Sequence, residues 1–174
     1  ANCGAVGLNS TIDVNGTSFW MGKDSFFMFD GSVQKLRCAV EDYVFKDISE
    51  GSQRDTFAAN NGEFNEVTWF YPSSGSTVID RCVTYNYADQ VWYVGTLDRS
   101  SWIDKGIYSY PYATTYDSSD TTATISTITG LTAGRAYMYS QEFGSNAESA
   151  AITAYVESGD FMIPQAGEYL MSIK

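Results

Sequence analysis

Apolar and polar positions alternate most densely between Asn65 and Trp102, and the rest of the chain can be ordered around that stretch. Glu66–Tyr71 (EVTWFY) is an apolar run broken by Pro72-Ser73-Ser74-Gly75-Ser76. Ile79–Tyr85 (IDRCVTY) sets Ile79, Arg81, Val83 and Tyr85 on one face of a strand and Asp80, Cys82 and Thr84 on the other. Asn86-Tyr87-Ala88-Asp89-Gln90 turns the chain into Val91–Thr96 (VWYVGT). β-Branched and aromatic residues suit a pleated, half-buried surface, so these runs predict a three-stranded antiparallel meander.

A second meander is predicted upstream. Ser10–Val14 reads as a weak strand; Thr17–Met21 and Ser25–Phe29 read as strands joined at Gly22-Lys23-Asp24. Asp30-Gly31 is a hairpin signal leading into a strand at Val33–Arg37. Between the meanders, Val40–Ile48 (VEDYVFKDI) has helical spacing, with Val40, Tyr43, Val44 and Phe45 on its apolar side. Phe57–Asn60 is a short strand before Asn61-Gly62. Both meanders set an aromatic residue just before an Asp- or Asn-containing turn, and Ser18–Arg37 and Glu66–Thr96 are expected to be neighbouring units. Repetition of a meander every few tens of residues is the mark of a β-propeller; a β-sandwich with ordinary hairpins is the competing arrangement. The fold class expected is all-β with one short helix, as propeller-like blades of antiparallel meanders over residues 1–112 followed by a small β segment over 113–174.

Leu97–Tyr116 reads as a Tyr-rich connector in which Tyr108-Ser109-Tyr110-Pro111-Tyr112 is too irregular for a central strand. Thr121–Leu131 is a Thr-rich linker, and Ala136–Glu142, Ser149–Glu157 and Glu168–Ile173 are further strand candidates. The chain begins Ala-Asn-Cys and ends in strand pattern, as expected of a piece of a longer polypeptide.

Composition narrows the chemistry. Thirteen Tyr, ten Phe and four Trp accompany a net charge of −11. That balance disfavours tight phosphate binding, which needs clustered Lys and Arg, yet suits a wall past which DNA slides. The absence of His removes imidazole bases, Ser-His-Asp triads and His-ligated metals. Cys3, Cys38 and Cys82 are far apart and odd in number, so free thiols are expected and no CxxC metal site is signalled. No long apolar run suggests a membrane span. Carboxylate pairs such as Glu63/Glu66, Asp98/Asp104 and Glu157/Asp160 are the only catalytic currency, and as turn residues they read as solvated. Asp117 and Asp120 lack the D-x-D-x-D-G calcium spacing. No nucleotide-binding or nucleophile-elbow motif is present. No catalytic, cofactor or metal-binding residue is therefore assigned, and no enzymatic activity is expected. Trp69 and Trp92 are expected in the core, and Trp102, Tyr108, Tyr110 and Tyr112 at an interface, because exposed Tyr and Trp pair a large apolar body with a polar tip.

GTSFWMGKDSFFMFDGSVQKLRC (residues 16–38), VEDYVFKDI (40–48) and QRDTFAANNGEFNEVTWFYPSSGSTVIDRCVTYNYADQVWYVGTLDRSSWID (53–104), with SAAITAYVESGDFMI (149–163) near the end, resemble the tail nozzle and packaged-DNA stabilisation proteins of short-tailed bacteriophages. The resemblance implies a β-propeller with added β-domains and a homo-oligomeric ring around a genome channel. It also implies contacts with other tail proteins such as adaptor and fibres, and a place in the virion. It transfers no binding residue, since the family's role rests on ring geometry. The alternatives are an extracellular carbohydrate-binding or adhesin domain, which exposed Tyr and Trp would serve equally, and a glycosidase with two facing carboxylates.

Overall fold

The computed structural model describes residues 3–117, 134–144, 146–147, 150–152 and 154–155. Its first sheet is a meander in the order β1-β2-β3-β4, built from β1 (Thr11–Val14), β2 (Thr17–Met21), β3 (Phe26–Phe29) and β4 (Val33–Lys35). Val14 pairs with Thr17, leaving Asn15-Gly16 as a two-residue loop. Both loop residues have positive φ, 52° and 83°, the type I′ geometry whose twist matches the flanking strands. This Asn-Gly pair, more than Asp30-Gly31, makes the cleanest hairpin, and it turns the weak Ser10–Val14 signal into a paired strand. Asp30-Gly31-Ser32 joins Phe29 to its partner Val33, with Gly31 at φ 119°.

The helix, α1 (Glu41–Asp47), falls within the expected span and carries Glu41 and Asp42 in its first turn and Lys46 in its last, as the helix dipole favours. Val44 is fully buried, but Tyr43, expected on the apolar side, is half exposed. At the helix end Asp47 accepts the Tyr71 hydroxyl at 3.4 Å and lies 3.6 Å from Arg81, tying the helix to the next sheet.

That second sheet, β5-β6-β7-β8, comprises β5 (Phe57–Asn61), β6 (Glu66–Tyr71), β7 (Arg81–Asn86) and β8 (Val91–Gly95). The pairing Trp69↔Val83 and Val67↔Tyr85 puts these side chains on one face, and Phe70↔Cys82 and Thr68↔Thr84 on the other. The first face packs on Val14, Phe19, Met21 and Phe26 of the first sheet to make the main core. Phe26 is its hub: its ring centroid lies 4.9 Å from Trp69, 4.7 Å from Trp92 and 5.2 Å from Phe45. The first strands also meet at one edge, where Asn9 and Phe57 form a parallel bridge and the Ala58 N–H donates to the Asn9 carbonyl at 2.7 Å.

The second sheet's other face is covered in part by a third sheet, ordered β11-β10-β9, of β9 (Ser101–Ile103), β10 (Tyr112–Asp117) and β11 (Arg135–Ser140). Trp102 of β9 packs on Phe70 in tilted geometry, ring centroids 5.9 Å apart, and joins Phe57 and Leu97 around Ala59, Phe70 and Cys82. The stretch read as an irregular connector stays irregular at Tyr108–Pro111 but contributes β9 and most of β10, and Tyr112 opens the middle strand of the sheet. Pro111 sits one residue outside that strand, so its missing N–H costs no ladder bond, while its carbonyl accepts from Gln141 N–H at 2.8 Å.

The chain divides into compact units Ala1–Phe143 and Gly144–Lys174. The position 112/113, where the blade region was expected to end, falls at the start of β10. In the second unit the described residues form a short antiparallel pair, β12 (Asn146–Ala147) with β13 (Ala150–Ala151), inside the segment expected as Ser149–Glu157 and just before it. Thr121–Leu131 and Glu168–Ile173 lie outside the described residues.

Among the described residues the fold is therefore all-β with one α-helix, built of antiparallel up-and-down meanders. The first two sheets share one core, as in a sandwich; the third sheet, stacked on the second's outer face, extends the series as consecutive blades would. Among the described residues no ring or barrel closes, so the propeller likeness is loose.

Each of the four indole N–H groups donates to a backbone carbonyl well upstream: Trp20 to Cys3 at 2.6 Å, Trp69 to Ser10 at 3.0 Å, Trp92 to Arg37 at 2.9 Å and Trp102 to Asn60 at 2.9 Å. Trp69 is wholly buried, whereas Trp92 is partly buried against the core. Emptying a large aromatic site costs about 3–5 kcal/mol, so Trp69→Ala should lose that much in a urea titration and Trp92→Ala less. Trp69→Phe, which keeps a ring but leaves the buried Ser10 carbonyl with the Met21 N–H as its donor, should lose about 0.5–1.5 kcal/mol for the missing bond. A midpoint unchanged in Trp69→Phe would show that the indole bond does not hold the sheets together.

Candidate functional site

Two gaps separate the three sheets, and they differ in chemistry. The first is filled by apolar and aromatic side chains. The second begins in the same way, where Trp102 and Leu97 cover Phe70 and Cys82. Only three residues long, β9 covers part of the second sheet's outer face, and a cleft of about 200 Å³ remains beside it. Glu66, Thr68, Thr84 and Tyr93 line it from the second sheet, with Asn61 at the end of β5 and Glu142 just beyond β11.

These positions follow from register. Asn61 pairs with Glu66, and Thr68 with Thr84, which in turn pairs with Tyr93, so all five project from one face. The two threonine hydroxyls share a hydrogen bond of 2.8 Å, and the Tyr93 hydroxyl donates to Glu66 Oε1 in a short bond. Asn61 is 4% exposed; its Nδ2 donates to Glu142 Oε1 at 3.1 Å, and its Oδ1 has no partner. Next to the cleft, Asp104 Oδ2 accepts from Asn60 Nδ2 at 2.8 Å and from the Gly62 N–H at 3.0 Å, pinning the β5–β6 turn to the end of β9.

The electrostatics are those of an acidic site short of countercharge. Burial, and then the charge of Glu142, pushes the Glu66 carboxyl up to about 7. Burial also raises Glu142, opposed by its hydrogen bond from Asn61 and reinforced by the charge of Glu63. The Cys82 thiol beneath the cleft is pushed up to about 11 by burial, so it is not a nucleophile at neutral pH. Together the groups can hold protons or bind a cationic or hydrogen-bonding ligand.

Of the residues singled out in the sequence, Glu66 and Trp102 line the cleft, and Tyr108, Tyr110 and Tyr112 do not. Trp102 turns inward onto Phe70. Tyr112 pairs with Ile103, one position from the Trp102↔Ala113 pair, and so lies on the opposite face of the third sheet. There it meets Tyr108 edge-to-face at 5.4 Å, while Tyr110 meets Phe143 at 5.2 Å. Among the carboxylate pairs, Glu63 is bound by Lys105 at 3.0 Å and Glu66 by Tyr93. Asp98 accepts from Thr115 at 2.9 Å, so Asp98 and Asp104 each serve their own structural partners. Asp117 stands at the end of β10; Asp120, Glu157 and Asp160 lie outside the described residues. The pair that does share a site, Glu66 with Glu142, is joined only by the return of β11. The available sequence signal was Glu66 itself, a carboxylate opening a strand whose later residues are buried on both faces.

The chain matches no protein-family profile and no curated protein sequence. No helix among the described residues is long and apolar enough to cross a membrane.

The raised Glu66 carboxyl sets the sign of a pH dependence. Its folded value of about 7 lies above the ordinary 4.5. Between those values the folded chain holds a proton that the unfolded chain has released, so stability falls as pH rises through this window. Denaturant midpoints should therefore decline from pH 5 to pH 8, and Glu66→Gln should flatten the decline. A Glu66→Gln profile parallel to that of the unaltered chain would locate the titration elsewhere.

Proposed function

We propose that this chain is a structural virion protein, a subunit of the tail nozzle ring of a short-tailed bacteriophage, which retains the packaged genome and channels it during ejection. The observation that carries the assembly part is the state of the two outermost sheet faces. On the first sheet, Trp20 stacks on Phe27 at 5.6 Å, and beside them Phe29 and Val33 are 43% and 53% exposed. On the third, Ile103, Tyr108 and Met138 are 52%, 48% and 72% exposed. Faces of this kind call for another sheet, supplied by further blades or by a neighbouring copy. A contact between unlike faces of successive copies is heterologous, and it forms a ring where the rotation between copies closes. The net charge of −11 suits a wall that DNA passes without sticking. The tail assignment is supported by the resemblance of residues 16–38, 40–48 and 53–104 to nozzle proteins; adaptor and fibre proteins would be the further partners.

Sedimentation of the chain over a concentration series tests the assembly role. Self-association is expected, and Phe29→Ser with Val33→Ser, or Tyr108→Ser with Tyr112→Ser, should shift it to monomer while melting stays near that of the unaltered chain. A chain monomeric at every concentration, with glycan binding as an isolated domain, would sink the ring reading in favour of a carbohydrate-binding or adhesin domain.

A further inference from the structure

We propose that the cleft between the second and third sheets binds a hard divalent cation of the calcium type through the carboxylates of Glu66 and Glu142 and the amide oxygen of Asn61. Asn61 and Glu66 are direct cross-strand partners on one face, and Asn61 reaches Glu142 through Nδ2, so one amide sits between the two carboxylates. Its Oδ1 is the independent sign of a ligand: it belongs to a residue that is 4% exposed and lines the cleft, and it has no hydrogen-bond partner. A buried acceptor left unmatched costs about 1–3 kcal/mol, and here it belongs to a residue lining the same cleft as two acids.

The chemistry of the lining selects a cation. Glu66 Oε1 is taken by Tyr93 and Glu142 Oε1 by Asn61, which leaves each carboxylate one oxygen for a ligand. No Lys or Arg lines the cleft among the described residues. The cations nearby are engaged elsewhere: Lys105 with Glu63 at 3.0 Å, and Arg99 with Asp98 at 3.3 Å and Gln141 at 3.5 Å. An anion would meet two carboxylates and no cationic side chain. Thiolate-seeking metals find only Cys82, whose thiol is held protonated, and the chain has no His. Oxygen donors alone suit calcium, which takes about six to eight of them in flexible geometry. Among the described residues no third carboxylate joins the pair as a ligand group. The ion therefore keeps part of its water, for which a cleft of about 200 Å³ has room.

Calorimetric titration of the whole chain with CaCl2, beside MgCl2 and NaCl at matched ionic strength, tests the assignment. Calcium should saturate one site with a Kd on the order of 10⁻⁴–10⁻³ M, the range of sites with few charged ligands, and raise the melting temperature over the same range. Magnesium should respond far more weakly, because it demands tighter octahedral geometry. Glu142→Gln, which removes one of the two like charges at an exposed position, should melt no lower than the unaltered chain without calcium yet bind calcium at least about tenfold more weakly, since ligand charge sets affinity. Asp42→Asn, on the exposed side of α1, should leave calcium binding unchanged. A response matched by NaCl, equal for magnesium, or retained in Glu142→Gln would overturn the proposal.

Discussion

The structure depends first on the contact of Phe26 with Trp69 and Trp92. Phe26 comes from the first meander and the two indoles from the second, and their rings meet at 4.9 and 4.7 Å in tilted geometry. Such pairs add about 0.5–1.5 kcal/mol each beyond the burial of their area. The polar ends of the rings are as important as their faces. Trp69 donates to the Ser10 carbonyl, which also accepts from the Met21 N–H at 3.2 Å, so one buried oxygen serves both its own hairpin and the neighbouring sheet. Trp102 repeats the device one sheet further on, with its ring on Phe70 and its N–H on Asn60. A meander can slide on a neighbour held only by apolar contact; an indole bonded to a particular carbonyl fixes where it stops.

Much of the two larger meanders was legible in the residues, because period-two alternation and turn dipeptides are local signals. The face assignment of Arg81, Val83 and Tyr85 against Cys82 and Thr84 survives intact in the observed register. The strand candidate Ala136–Glu142 meets β11, but the pairing of the third sheet was hidden for the opposite reason. β9 has only three residues, the central β10 opens directly after a proline, and its partner β11 lies beyond a long intervening stretch, so nothing local announces the pairing. Trp102 illustrates the consequence. Read in a Tyr-rich connector, it passed as an exposed aromatic; placed in β9, it becomes the residue that seats one sheet on another. The candidate site was illegible on the same grounds, since Glu66 and Glu142 are brought together only by that non-local pairing.

The contrast between the two gaps ties this architecture to what the protein can do. In the first gap both faces are apolar and the helix caps one end, so water is excluded and the two sheets act as one body. In the second, the face that β6 and β7 present changes character along the strands, from Phe70 and Cys82 to Thr68, Thr84 and Glu66. The short β9 seals the apolar end and leaves the polar end to solvent. Acids placed there without a basic partner repel each other more as the site dries, because a lower dielectric strengthens like-charge repulsion as much as attraction. The third sheet is thus held at one end by an aromatic clasp and weakened at the other by its own charge. Protons or a cation shared by Glu66 and Glu142 would relieve that repulsion, making the seating of the last sheet responsive to solution conditions while the first two sheets stay fixed. Under the proposed assembly role, such a sheet matters most if its outward face, with Ile103, Tyr108 and Met138, is the one offered to a neighbour.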